Sequence, residues 1–201
     1  MCIWQSYKTE IQYGEERNQA NLILHSLRSL AATQVPSLGG ARYFVSFIDN
    51  FSRKVWIFVL KHKNEALKKF KEWITLIKHQ TYKKIKRLQT DNGLEYCSKK
   101  FKDFCKSKGI ARHRTVTYTP QQNGLAEIMN RTLIERVRCM LLNASLSKGF
   151  WAEAVTTAAY LINRSPSSAL GFKTPQEIWS GKPPDLSNLR IFRCPAYDHI
   201  K

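Results

Sequence analysis

Acidic side chains are scarce in this 201-residue chain, 15 against 33 lysines and arginines, so the position of each carboxylate carries information. Asp91 follows a short alternating segment, Ile85 to Thr90 (IKRLQT), and opens an Asp91-Asn92-Gly93 turn. Glu127 lies in the first turn of the longest helical pattern, Leu125 to Asn143, with 35 residues between the two acids. A carboxylate at a strand end and another at a helix start converge on one divalent cation when the helix packs over the strand. Mg²⁺ takes hard oxygen ligands and keeps several waters, so two or three carboxylates hold it. Two such ions about 3.5–4 Å apart activate an attacking oxygen and stabilise a leaving oxygen in phosphoryl transfer. Each acid also has an ordinary structural role, Asp91 in the turn and Glu127 as a partner of the helix dipole. Spacing alone leaves both open.

The elements that must position these acids are legible in outline. Arg42 to Asp49 (RYFVSFID) and Val55 to Leu60 (VWIFVL) are rich in aromatic and β-branched residues and read as two strands of a hairpin, with Asn50 and Ser52 in its turn. Gly39-Gly40 suits a tight turn before it, and a further strand is expected around Leu22 to Leu30. From Asn64 to His79, Leu67, Phe70, Trp73, Ile74 and Ile77 recur at helical steps, with Lys68, Lys69, Lys71 and Lys78 opposite. Ile85 to Thr90 is a strand. Phe101, Phe104 and Cys105 mark a short helix stopping at Gly109, and Ile110 to Val116 a last strand. After the loop Tyr118 to Gly124 (YTPQQNG), the long helix carries Met129, Leu133, Val137, Met140 and Leu141 on one stripe. Phe150 to Ile162 is a further helix, rich in alanine. Beyond Pro166 the chain turns rich in Pro, Gly and Ser and reads as an extended appendage with short structured pieces. This order predicts an α/β fold, a mixed sheet flanked by helices. It fits a ribonuclease H-like core, although other mixed folds share it.

Hydrophobic residues at 43% and aromatics at 11% supply a core, which excludes disorder throughout. The net charge of +18 favours a polyanion as partner, nucleic acid before an acidic membrane surface. The longest apolar run is the six residues Val55 to Leu60, against roughly 20 for a transmembrane helix, so no membrane partner is expected. Met1 to Glu10 lacks an apolar leader segment, so secretion is not expected either. The five cysteines (2, 97, 105, 139, 194) form no C-x-x-C pair and read as free thiols. Lys61 to Thr90 holds ten Lys/Arg and two acids, and Lys99 to Arg114 seven Lys/Arg and only Asp103. A single charge run is usually a solvated face; runs on several elements point to phosphate backbones. On the long helix, Glu127, Arg131, Ile134 and Arg138 share a face, so two arginines flank the candidate metal carboxylate. His25 and His113 are isolated and read as structural or exposed.

Several motifs occur in one order: Arg42 to Asp49, Phe51-Ser52-Arg53-Lys54, Thr90-Asp91-Asn92-Gly93-Leu94-Glu95, Thr119-Pro120-Gln121-Gln122-Asn123-Gly124-Leu125-Ala126-Glu127 and Met129-Asn130-Arg131-Thr132. They are followed by Phe150-Trp151-Ala152-Glu153-Ala154, Lys173-Thr174-Pro175 with Ile178-Trp179, and Cys194-Pro195-Ala196-Tyr197. Over about residues 18 to 198 the chain resembles the integrase core of copia-type retrotransposons, within the retroviral integrase superfamily, cut from a Pol polyprotein. The resemblance implies a ribonuclease H-like fold and metal-dependent polynucleotidyl transfer with Mg²⁺ or Mn²⁺. It implies Asp91 and Glu127 as the second and third members of an Asp, Asp, Glu catalytic and metal-binding triad. It implies nucleic-acid contacts at Gln121, Gln122, Asn123 and Asn130, beside Arg131 and Arg138. DNA, as element ends and target, is the implied partner, with self-association, and the nucleus the implied compartment, otherwise the cytoplasm. In domain terms, 1–17 reads as a linker remnant after a zinc module that this chain lacks, 18–180 as the catalytic core and 181–201 as a C-terminal extension.

The first triad member is missing. The family places an Asp soon after a His-Ser pair near the first strand, but His25-Ser26 is followed here by Leu27, Arg28 and Ser29, and no Asp or Glu lies between Glu16 and Asp49. Asp49 belongs to the next strand, where the family carries an Asp that is not a ligand. The expectation is an integrase core impaired in strand transfer. The alternatives are a non-catalytic nucleic-acid-binding relic or co-opted domain, and a nuclease of the same fold.

Overall fold

The computed structural model describes residues 19–24, 35–81, 84–90, 94–114 and 124–194. Five strands form one sheet: β1 (Gln19–Leu24), β2 (Tyr43–Asp49), β3 (Val55–Leu60), β4 (Lys84–Thr90) and β5 (Ala111–Arg114), in the order β3-β2-β1-β4-β5. The first three are antiparallel neighbours, while β4 and β5 run parallel to β1. Such parallel neighbours need crossover connections, and helices supply them: α1 (Ala66–Thr81) between β3 and β4, and α2 (Leu94–Cys97) with α3 (Lys99–Ser107) between β4 and β5. Then follow α4 (Gly124–Asn143), α5 (Trp151–Arg164) and α6 (Pro175–Ser180). This is the mixed, ribonuclease H-like α/β sheet expected from the order of elements.

Strand β2 shows how the layers arise. Its side chains alternate between the two faces of the sheet, and both faces are covered. Phe44 and Ile48 pack with Leu133 and Val137 of α4 and with Val155 and Ala158 of α5. Val45 and Phe47 pack with Phe70 and Trp73 of α1 and with Phe101 and Cys105 of α3. Helices α4 and α5 therefore lie on one side of the sheet and α1 and α3 on the other.

The β2–β3 turn is pinned by its first residue. Asp49 Oδ2 accepts from Ser52 N at 2.8 Å and Ser52 Oγ at 2.6 Å, and Arg53 N donates to Asp49 O. Arg53 adopts φ 61°, the left-handed conformation that closes such turns. Before β2, Gly40 sits at φ 78° and its N–H donates to Ser37 O, so the Gly39-Gly40 turn needs glycine at its second position.

Some boundaries differ from the sequence reading. The expected strand at Leu22 to Leu30 is seen at Gln19–Leu24, residues 25–34 lying outside the description. Helix α1 begins after a 3₁₀ turn at Lys63–Glu65. The segment after Pro166 is less extended than expected. Thr174 Oγ1 accepts from Glu177 N, Pro175 occupies the first helical turn and Gly181 closes α6 at φ 74°. Trp179 then packs edge-on against Trp56 of β3 at 5.0 Å, with Lys54 Nζ over both rings. Further on, Phe192 packs against the α4–α5 core and Arg193 donates to the Ala144 carbonyl.

Candidate functional site

The site is built at one end of the sheet. Ile48, Ile23 and Gln89 form a row across β2, β1 and β4. Ser46 lies two residues along β2 from that row, toward the end where β1 and β4 finish at Leu24 and Thr90. There the Ser46 hydroxyl donates to Asn130 Oδ1 at 3.0 Å, and both residues are buried. This bond seats the first turns of α4 over that end of the sheet. Glu127 precedes Asn130 by three residues, about 4.5 Å along the helix axis, and is exposed.

Around the helix, Glu127, Arg131 and Arg138 fall within an arc of about 40° at 100° per residue, and all three are exposed. Ile134 on the same side is half-buried. The buried stripe runs through Ala126, Asn130, Leu133, Val137 and Leu141. Met129 and Met140 are half-buried at its edges and pack against the same core, as their period implies, while Asn130 is a core residue turned toward the sheet. A buried amide is tolerated because it has a hydrogen-bond partner, and that partner is Ser46, 84 residues away. At 2% exposure the Asn130 side chain faces Ser46 and not solvent, so it holds the helix on the sheet in place of the nucleic-acid contact implied by resemblance. Asp91, Gln121, Gln122 and Asn123 lie outside the described residues; Asp91 directly follows Thr90, which is buried at the end of β4.

Asp49 is not poised to join Glu127. Its place on β2 alternates with Ile48, so it points away from the α4 side. One oxygen is committed to Ser52, and the other is buried with no hydrogen-bond partner among the described residues. Among the described residues no group of three or more His, Cys, Asp or Glu side chains is arranged to hold a metal. What the described donor set offers is one hard, accessible carboxylate, Glu127, with two cations beside it. No described helix is long and apolar enough to cross a membrane.

Sequence reasoning missed two positioning groups. Asn163 of α5 accepts from Val55 N at 2.9 Å and donates to Val55 O at 2.7 Å, which fixes α5 to β3. Ser46 does the same for α4. The only available signal was a small or amide polar residue at a position whose period assigns it to the core.

Residues 30–120 match the family described as integrase core domain. The chain is 44% identical over 200 residues to the retrovirus-related Pol polyprotein from transposon TNT 1-94 of Nicotiana tabacum, covering 99% of this chain and 15% of that protein. It is 31% identical over 170 residues to the Pol polyprotein from transposon RE2 of Arabidopsis thaliana, covering 85% of this chain and 12% of that protein. The chain thus spans a small part of the curated relatives it matches. Among solved structures it resembles the HTLV-2 integrase catalytic core domain in complex with magnesium, at TM-score 0.57 and 20% identity, over 80% of this chain and 97% of that one. It also resembles a simian T-cell lymphotropic virus intasome at TM-score 0.61 and 20% identity, over 92% of this chain and 62% of that one. With the strand order and the ordered sequence motifs, these matches place the chain in the integrase core family of copia-type retrotransposon Pol polyproteins, a family that serves DNA integration.

Proposed function

We propose that this chain is an integrase core that binds DNA across the exposed face of α4 and is impaired in strand transfer. The reading is carried by one observation: Glu127 stands exposed on the face of α4 that also carries Arg131 and Arg138, three residues from the Asn130 amide that seats the helix on Ser46. Asp91 and Glu127 supply hard oxygens suited to one Mg²⁺ or Mn²⁺, with water completing its shell. Such an ion, when bound, supplies charge stabilisation to phosphoryl transfer. Arg131 and Arg138 hold the phosphate backbone beside that point, and Gln121, Gln122 and Asn123 extend the contact from the preceding loop. The resemblance assigns the third carboxylate to the stretch soon after His25-Ser26, where the sequence Leu27-Arg28-Ser29 offers none, and Asp49 is locked into its turn. Phosphoryl transfer leans on that lost charge stabilisation. The HTLV-2 core structures, described as magnesium-bound and as dimeric and trimeric, support a divalent ion and self-association here. We infer nuclear action for the same reason of family, and domain limits of 1–17, 18–180 and 181–201.

The test is a strand-transfer assay with Mg²⁺ or Mn²⁺ alongside calorimetric Mn²⁺ titration. Turnover at background is expected, together with weak Mn²⁺ binding that Glu127→Gln abolishes. Robust strand transfer that vanishes in Asp91→Asn would overturn the impairment and restore the enzyme reading. Salt-insensitive DNA binding would overturn the backbone contact.

A further inference from the structure

A group of lysines that the α4 site does not use lies on the opposite side of the sheet, on α1 and α3. On α3, Phe101 and Cys105 are buried against α1 and the sheet. That orientation turns Lys99, Lys102 and Lys106 outward, within an arc of about 60°, and all three are exposed. Lys100, about 100° further round, and Lys108 at the helix C-terminus are also exposed. On α1, Phe70 stacks on Phe101 at 5.3 Å and meets Phe104 edge-on at 6.1 Å, so the two helices lie side by side. Lys71 and Lys78 stand on the flank of α1 that faces α3, about 20° apart. Lys71 fixes that direction, with its Nζ 4.9 Å from the Phe104 ring centroid.

Acids are few here. Within α3 there is Asp103, and within α1 there is Glu72, which is paired at 2.8 Å with Lys69. No ion pair to Lys71, Lys78, Lys99, Lys102 or Lys106 is present among the described residues. From Lys99 to Lys106 the helix rises about 10 Å, the axial length that carries about three phosphates on one strand of B-DNA. A membrane-lying helix would present apolar residues among its lysines. Here Phe101 is buried and Phe104 packs inward, leaving the outer face of α3 polar, with Leu76 of α1 the one large apolar side chain exposed on these two helices among the described residues.

We propose that the outer face of α1 and α3 is a second surface for the phosphate backbone of duplex DNA. One molecule then holds two duplexes, one on each side of its sheet. The α4 side carries Glu127 with Arg131 and Arg138; on α1 and α3 cations outnumber the two acids Asp103 and Glu72, so this side anchors DNA and takes no part in chemistry.

The experiment is a bridging assay in EDTA with the full chain, which separates it from any failure of metal binding or strand transfer. Biotinylated duplex on beads captures a second, fluorescent duplex through the protein. Lys99→Gln/Lys102→Gln/Lys106→Gln is expected to keep binding the first duplex and to lose capture of the second. Its log–log salt slope should fall by about 2.7, from three contacts at about 0.9 each. The triple Lys→Arg variant at the same positions is expected to bridge like the parent, which separates charge from folding. Unchanged bridging and unchanged salt slope in the Gln variant would overturn the proposal. So would binding of phosphatidylserine vesicles through these lysines that duplex DNA fails to displace.

Discussion

The two sides of the sheet are built from different materials. Under α1 and α3 the core is aromatic: Phe47, Phe70, Trp73, Tyr96 and Phe101 are all buried, and Phe70 stacks at once on Phe101 and, at 6.3 Å, on Trp73. Under α4 and α5 it is mostly aliphatic and rich in alanine, with Ala126, Ala154 and Ala158 fully buried and Phe44 and Trp151 as its buried aromatics. There the helices are fixed by two amides, Asn130 on Ser46 and Asn163 on Val55. Large rings fill space and hold whatever sits outside them. Small side chains bring helix backbones close to the sheet, and hydrogen bonds then set their rotation and register. The side that must place a carboxylate is the side positioned by directional bonds.

The sharpest way to break this contrast is to truncate the aromatic side. Phe70→Ala removes a ring with four aromatic neighbours and is expected to cost about 4 kcal/mol in urea unfolding. Ala158→Leu, on the other side, adds volume where there is none and is expected to cost about 2 kcal/mol by overpacking. If Phe70→Ala costs no more than a surface substitution, the aromatic layer does not carry that side.

The functional side of the contrast is tested by restoring what the sequence lacks. Leu27→Asp supplies a carboxylate after His25-Ser26, in the stretch where the resemblance implies one. It is expected to raise strand transfer at least about a hundredfold, equivalent to about 2.7 kcal/mol of barrier, and to tighten Mn²⁺ binding. No gain in either would mean that the altered stretch around Leu27 disables the site in some way other than charge.

Much of the frame was legible because it is local. The alternation of Tyr43–Asp49 and Val55–Leu60 specified two strands, and the 3.6-residue period of α1, α4 and α5 specified which sides face inward. What escaped was what depends on distant partners. Asn130 falls on the buried stripe by period, yet only Ser46, 84 residues away, explains why a polar group sits there. Asn163 is 108 residues from Val55. By contrast α6 was announced locally by Thr174-Pro175 with Glu177 and by Gly181, a capping signature hidden within a Pro- and Gly-rich stretch. For the site, the carboxylate on α4 and its flanking arginines followed from helical geometry, whereas the empty first corner is visible only by resemblance.

The amide seat of α4 admits a finer test. Ser46→Ala leaves the buried Asn130 amide oxygen without its donor and is expected to cost about 2 kcal/mol. Ser46→Ala with Asn130→Leu removes both polar groups and should recover most of that loss, since the penalty comes from the orphaned partner. A double variant as unstable as the sum of its parts would show that the Ser46–Asn130 bond itself, and not its satisfaction, holds the helix.

The smallest effect expected comes from the thiol buried in the aromatic layer. Burial pushes the Cys105 thiol from its ordinary 9.0 up to about 11, against the opposing pull of the nearby Arg112 charge. The folded state therefore holds this proton more tightly than the unfolded chain. The resulting stabilisation is complete below pH 9, where both states are protonated, and declines as pH rises toward 11, because only the unfolded chain gives up the proton. One unit above the ordinary thiol value, the loss is about 1.4 kcal/mol. Urea unfolding of the parent and of Cys105→Ala at pH 8 and pH 10 isolates it, since the titration of the many lysines is common to both proteins. The parent's advantage should narrow by about that amount between the two pH values. A constant gap would place the thiol in contact with water and so contradict the sealed packing of α3 against α1, while leaving the amide-positioned side untouched.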